Sequence, residues 1–279
     1  MSNSCMEHRW GLFIDIEGFS HRYSKNSCDA LLSLGCLAGD LFQIGKYFTE
    51  HERLLIHQFG DGFLVLSDFP EDSLNRPLSI AIALMQSMLL RGREGGGVCR
   101  AAISTGDFSD VSGCLPPEVR EDKSFDHHYV KLGDGLMTLI PVMGSALINP
   151  YKLQSKGPKG PLLFVDAKLD CFMPTKGVSI LHRTKDSLQV DWLHARLPLA
   201  SELLGCLRGK HGKMTIPDSL LEEQLSKYVK THCMNGKWAS SAQELISGAY
   251  FLRKDQGQNR EGDRQRSKRH EGNAKNRDG

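Results

Sequence analysis

The sequence predicts an α+β fold built on a ferredoxin-like split βαβ core, in the order βαββαβ, over about residues 8–170. Three observations predict it. Two strand-like runs, residues 53–58 (RLLIHQ) and 63–67 (FLVLS), are joined through Phe59-Gly-Asp-Gly62, whose Asp-Gly pair is a strong hairpin signal. Stretches with helical apolar spacing lie on both sides of that hairpin, and a further strand-like run closes each flank.

Residues 10–16 (WGLFIDI) form a short apolar run rich in β-formers that stops at an acidic residue and Gly18, as a buried strand would. From residue 28 to 48 the apolar side chains Leu31, Leu34, Leu37, Ala38, Leu41, Ile44 and Phe48 recur at three and four, the spacing of one helix face. The hairpin follows. Residues 78–90 (LSIAIALMQSMLL) are apolar around most of a helical circumference, as expected of a helix covering a sheet. Residues 98–104 (VCRAAIS) supply the fourth strand, stopped at Gly106. A long, less regular insertion spans 108–143 and contains Pro116-Pro117 and His127-His128, and residues 162–165 read as another strand. Residues 178–182 and 188–192 suggest a second hairpin, and 217–231 a helix opening with proline in its first turn. The chain divides accordingly into a core (1–170), a hairpin and helices packed on it (171–253), and a polar tail (254–279) expected to be disordered.

Composition narrows the function. With 35 Lys and Arg against 33 Asp and Glu, the net charge of +2 offers no strong field for nucleic acid or a membrane surface, so neither is expected as a stable partner. No run approaches the apolar length of a membrane span and the start MSNSCMEHRW lacks a signal peptide's apolar stretch, which predicts a cytoplasmic protein. The eight cysteines are scattered without a CxxC pair, which predicts reduced thiols rather than a zinc site.

In a split βαβ core the first two strands run the same way and the third returns between them. The end of the first strand and the hairpin turn then share one edge, so Asp15 and Asp61 should converge there. Two adjacent carboxylates with open backbone nearby suit a hard divalent cation whose remaining ligands are water and phosphate. The turn after Asp15, Ile16-Glu-Gly-Phe-Ser20, has a glycine that permits unusual dihedrals, and its backbone N–H groups can face an anion.

Phe13-Ile-Asp-Ile-Glu-Gly-Phe-Ser20 resembles the first metal motif of the class III nucleotidyl cyclases. Phe59-Gly-Asp-Gly62 resembles their second, and Arg100-Ala-Ala-Ile-Ser-Thr-Gly106 the strand that follows. The resemblance spans roughly residues 10–170. Gly144-Ser-Ala-Leu-Ile-Asn-Pro-Tyr-Lys-Leu153, with Pro161-Leu-Leu-Phe-Val-Asp166, is more similar to the pyrimidine cyclases of the bacterial Pycsar antiphage systems than to ordinary adenylyl cyclases.

The resemblance implies cyclisation of a nucleoside triphosphate, UTP foremost and CTP next, to its 3′,5′-cyclic nucleotide and pyrophosphate. It also implies that the product is a signal sensed by a separate effector protein. Two divalent ions, Mn²⁺ or Mg²⁺, would be held by Asp15, Asp61 and the carbonyl of Ile16, with Gly18, Phe19 and Ser20 around the phosphates. Active sites in the family lie between two catalytic domains, so one domain per chain implies a homodimer. The place of a base-reading Lys in purine cyclases, four residues before the second metal Asp, is His57 here, and a second base-reading place falls near Pro141. The transition-state Asn and Arg align with Ile148 and Lys152, with Asn149 one position away and Arg100 a second candidate for phosphate contact. Asn149-Pro150 also reads as a helix start later than the family pattern. Tyr47 and Tyr151 are candidates to stack on a base or to pack in the core. Two other readings stay open: a conventional adenylyl or guanylyl cyclase, and a cyclase-like module that binds nucleotide without turning it over.

Overall fold

The computed structural model describes residues 9–49, 52–92, 94–111, 114–121, 129–132, 134–138, 142–232 and 236–248. His127-His128, Pro141 and the tail 254–279 lie outside the described residues.

The chain opens with β1 (Arg9–Ile16), a short α1 (Phe19–Lys25), α2 (Ser27–Tyr47), the hairpin β2 (Leu54–Phe59) and β3 (Gly62–Ser67), α3 (Asn75–Arg91) and β4 (Cys99–Gly106). The inserted region carries β5 (Ser109–Asp110), α4 (Pro117–Arg120), β6 (Tyr129–Leu132), β7 (Gly135–Thr138) and β8 (Val142–Met143), paired as two small two-stranded sheets. Then come α5 (Ser145–Lys156), β9 (Leu163–Asp166), a 3-10 turn (Ala167–Phe172), the hairpin β10 (Ile180–Arg183) and β11 (Ser187–Val190), α6 (Pro198–Leu207) and α7 (Asp218–His232). Residues 236–248 are helical and are called α8.

One mixed, mostly antiparallel sheet of seven strands organises these elements, in the order β10-β11-β9-β4-β1-β3-β2. Strand β3 returns between β1 and β2 and is antiparallel to both, whereas β9 joins β4 in parallel. The second hairpin does more than pack on the core, because β11 pairs with β9 and so extends the same sheet.

Alternation along β1 sets the two faces of the sheet. Trp10, Leu12, Ile14 and Ile16 enter the main core with α2 and α3, while Phe13 joins a smaller cluster with Leu64, Leu66 and Ala146 under α5. Helix α3 is buried on nearly every side, since it lies between the sheet, α2, α6 and α7. Trp10 is wholly buried and satisfied by donating its Nε1–H to Glu71, which also accepts from Arg76, whose guanidinium lies 5.4 Å over the Trp10 ring. Truncating a buried tryptophan of this kind to alanine typically costs about 3–5 kcal/mol.

Helix α2 is, by length and composition alone, long and apolar enough to cross a membrane, which the absence of an uninterrupted apolar run in the sequence does not suggest. One stripe of it, including Leu37, Leu41 and Ile44, is buried, and Asp40 within it is paired with Arg91 and Ser87 of α3. Helix α5 begins at Ser145, so Pro150 lies inside it and not at its start. A proline removes the N–H that would bond the carbonyl four residues earlier. That carbonyl, of Ala146, lies against Gly11, where a side-chain carbon would come within 2.3 Å of it. Gly11 therefore lets α5 settle directly on β1, and the helix tolerates its proline there.

Candidate active site

Asp15 occupies the end of β1, opposite Gly62 of β3 in register, and Asp61 sits in the β2–β3 turn beside it. The convergence expected from the sequence is present, and it has an electrostatic consequence. Burial, then Glu17 and Asp61 as like charges, push the Asp15 carboxyl up to about 7, against Arg100 and a hydrogen bond from Gln154 Nε2 that stabilise its anion. A carboxylate so short of counter-charge is what a bound cation would relieve.

The two carboxylates stand between unlike cavities. On one side is a polar cleft of about 920 Å³, walled by Arg100, Lys159, Gly18, Ser20 and Arg22 and roofed by Tyr228, His232 and Trp238. On the other is an apolar hollow of about 710 Å³ bounded by Phe13, Phe59, Leu147, Ile148, Met143 and Tyr151.

Arg100 pairs with Asp15 across the β1–β4 ladder and is buried. Its Nη2 donates to the carbonyls of Gln154 and Gly157, and its guanidinium carbon lies 5.8 Å from the centre of the Phe164 ring. Its Nε is buried without a hydrogen-bond partner. Glu17 is buried as well, and desolvation raises its pKa against the pull of Arg100 and Lys159. The Gly160 backbone and the Trp238 side chain also favour its anion, which brings the turn after Asp15 into electrostatic contact with α8. Gly18 is left-handed, at φ 76°, and begins α1 with no side-chain cap on the helix's first turn, while Phe19 stacks on Tyr23 at 5.9 Å. Ile16 and Ser20 line the polar cleft with them.

The other residues singled out from sequence fall elsewhere. His57 is half-buried on the edge strand β2, opposite Leu64, and so faces the α5 side of the sheet together with Phe13 and Asp15. It borders neither cavity. Lys152 is exposed on α5, one turn beyond Ile148, and lies outside the linings of both cavities. Asn149 donates its side-chain N–H to the Thr105 carbonyl at 2.9 Å and fastens α5 to β4. Tyr47 ends α2, at the far end of a 21-residue helix roughly 30 Å long, and lines neither cavity beside Asp15. There its hydroxyl donates to Glu202 at 3.0 Å in a separate cavity with Lys210 and Lys213. Tyr151 packs edge-on against Phe13 at the apolar hollow.

Sequence reasoning missed the roof. Tyr228 and His232 stack at 4.0 Å on α7, and Trp238 follows on α8, all from a region far along the chain from Asp15. Helical spacing identifies α7, yet nothing local marks which turn faces the cleft.

Among the described residues no cluster of three or more His, Cys, Asp or Glu side chains is arranged to hold a metal ion. The pair Asp15 and Asp61, with the backbone of Ile16, fits the sparser protein share of a magnesium-type site, which keeps water and substrate phosphates as its other ligands.

No family model matches the chain, and no match was found among curated proteins. Among solved structures it is similar to a bacterial light-regulated adenylyl cyclase, with 12% identity and a TM-score of 0.43 over 72% of this chain. The chain spans 57% of that protein's length.

Proposed function

We propose that the chain is a nucleotidyl cyclase of the class III kind, acting on a pyrimidine nucleoside triphosphate and working as a homodimer. The observation that carries this reading is the adjacency of Asp15 and Asp61 at the mouth of a cleft that also holds Arg100 and Lys159. In the reaction the ribose 3′ oxygen bonds to the α-phosphorus, its proton leaves, and the bond to the β-phosphate oxygen breaks to release pyrophosphate. Divalent ions bound by Asp15, Asp61 and the Ile16 carbonyl would supply Lewis acidity and neutralise phosphate charge. Arg100, held by two carbonyls and with its Nε unused, presents a fixed cation beside Asp15. Such a preset charge costs no reorganisation when phosphate charge develops. The Glu17 N–H donates to the Val98 carbonyl at 2.9 Å and holds the start of the turn at residues 16–20 in place, so the phosphates meet an ordered backbone.

The apolar hollow supports the homodimer. Phe59, Met143, Ile148 and Tyr151 are 43%, 64%, 48% and 55% exposed around the same two aspartates, an apolar rim that a second copy would cover. A partner's α5 brought there would deliver Lys152 to the nucleotide, which its exposed position permits. The pyrimidine preference rests on the sequence resemblance of residues 144–166 to pyrimidine cyclases and on the absence of a base-reading Lys at position 57, and the cyclic product would serve a separate effector protein.

The test is full-length protein with ATP, GTP, CTP and UTP and Mn²⁺, with products identified by mass spectrometry. Cyclic UMP or cyclic CMP that disappears with Asp15→Asn or Asp61→Asn is the expected result. Cyclic AMP or cyclic GMP as the main product would move the assignment to a conventional purine cyclase. Nucleotide binding without pyrophosphate release would make the chain a binding module.

A further inference from the structure

Behind the polar cleft lies a smaller recess of about 330 Å³, walled by the loop of Gly95, Gly96 and Gly97 on one side and by Lys227, Thr231 and His232 of α7 on the other. Arg22 forms the partition, since it lines both the recess and the cleft. Its Nη2 is engaged, donating to Ser33 Oγ at 2.7 Å and to the Gly96 carbonyl at 3.3 Å. Its Nη1 is buried without a hydrogen bond of good geometry, and the neutral Tyr228 hydroxyl is the side chain that interacts with this guanidinium from α7. The glycine loop is shaped to this arginine, because a side-chain carbon at Gly97 would stand 2.9 Å from Nη1. A buried guanidinium nitrogen without a well-aligned acceptor is costly, and a native site normally supplies an anion or water for it. Arg22 and Lys227 face the single carboxylate of Asp29 in this recess, and Asp29 already accepts from Asn26 Nδ2 at 2.7 Å. The recess is thus cationic, and it is edged by the His232 ring, whose Nδ1–H donates to the Tyr228 carbonyl at 3.0 Å.

We propose that this recess is an oxyanion site continuous with the cleft, in which Arg22 and Lys227, with His232 at the edge, hold the terminal phosphates of the nucleotide and the pyrophosphate released from it. The identity of that oxyanion rests on the cyclase reading, whereas the site itself rests on Arg22 and the two surfaces that enclose it. A C-terminal helix therefore takes part in holding phosphate, beyond the residues of the two aspartate motifs.

The experiment is calorimetric titration of inorganic pyrophosphate into the full-length protein with chelator and no metal. Binding by the wild type and by Asp15→Asn is expected, with a loss of at least about tenfold in Lys227→Ala/His232→Gln and in Arg22→Gln, the scale of a lost charged hydrogen bond. Arg22 also ties α1 to Ser33 and Gly96, so the double variant, which alters only exposed side chains, decides the matter if Arg22→Gln fails to fold. Absence of metal-free pyrophosphate binding, or unchanged affinity in the double variant, overturns the proposal. Pyrophosphate binding that persists in a chain making no cyclic nucleotide would sink the cyclase reading and leave the oxyanion site standing.

Discussion

The two sides of the Asp15–Asp61 pair differ in what closes them. The polar cleft is roofed from within the chain by α7 and α8, and its walls carry Arg22, Arg100 and Lys159. The apolar hollow has no such roof among the described residues, and its rim leaves Phe59, Met143, Ile148 and Tyr151 in solvent. Charge is expensive to desolvate and so needs permanent, preset partners, which a folded chain can supply itself. Apolar surface is stable to cover but not self-closing, which suits it to a second molecule. The pair thus stands where an internal phosphate-type wall meets an external apolar one.

The largest break in this comparison comes at the pair itself. Asp15→Asn and Asp61→Asn should each lower turnover by on the order of 10³-fold, the effect of losing several kcal/mol of metal-borne charge stabilisation, while circular dichroism stays unchanged.

Next comes the roof. His194 bridges Asp191 at 2.9 Å and Glu222 of α7 at 3.0 Å, and Asp191 is fully buried. Substitution His194→Ala leaves Asp191 without its imidazole and should cost about 3–5 kcal/mol in thermal or urea unfolding. Burial opposes the charged imidazole, but the two carboxylates outweigh it and raise the His194 pKa above its ordinary value of 6.5. The folded state therefore binds the proton more tightly than the unfolded one. The clamp's contribution is complete below about pH 6.5 and falls away as pH rises through the raised value, so the wild-type melting temperature should decline across that window more steeply than that of His194→Ala. Parallel pH profiles for the two proteins would refute the clamp.

A smaller effect probes the opposite side. Ile148→Asp should lower turnover by about 10- to 100-fold and shift sedimentation toward a monomer, as hot-spot losses at interfaces do, while metal-free pyrophosphate binding is retained. A monomeric wild type, or a dimer untouched by this change, would remove the apolar wall from the reading. Smallest is Trp238→Phe, which keeps the ring packing and removes the indole N–H that favours the Glu17 anion. An increase of about 2- to 5-fold in the KM for triphosphate is expected, the scale of one weak polar contact, with little change in kcat.

Much of the sheet was legible because its signals are local. The run 10–16, the Asp-Gly hairpin and the doubly apolar 78–90 became β1, β2–β3 and α3 with shifts of at most three residues at their ends. Helix α6 escaped notice, although Pro198 stands at its first turn, because its ten residues are short and apolar enough to pass for a strand or a loop. The sequence shows a turn at residues 16–20 but not α1, since a seven-residue helix with no side-chain cap has little periodicity to show. For α5, Asn149-Pro150 suggests a late start on local grounds, and only the approach of Ala146 to Gly11 explains why the helix begins earlier and carries its proline inside.

What the sequence determined by itself was that two aspartates end neighbouring elements of one sheet, because strand period and turn chemistry are written in adjacent residues. What only the tertiary structure decided was their surroundings. Tyr47 went to the far end of α2, Asn149 was spent on Thr105, and Arg22, Tyr228, His232 and Trp238 came to the cleft. Periodicity states which face of a helix is buried but not against what, and packing between segments some two hundred residues apart has no local signature.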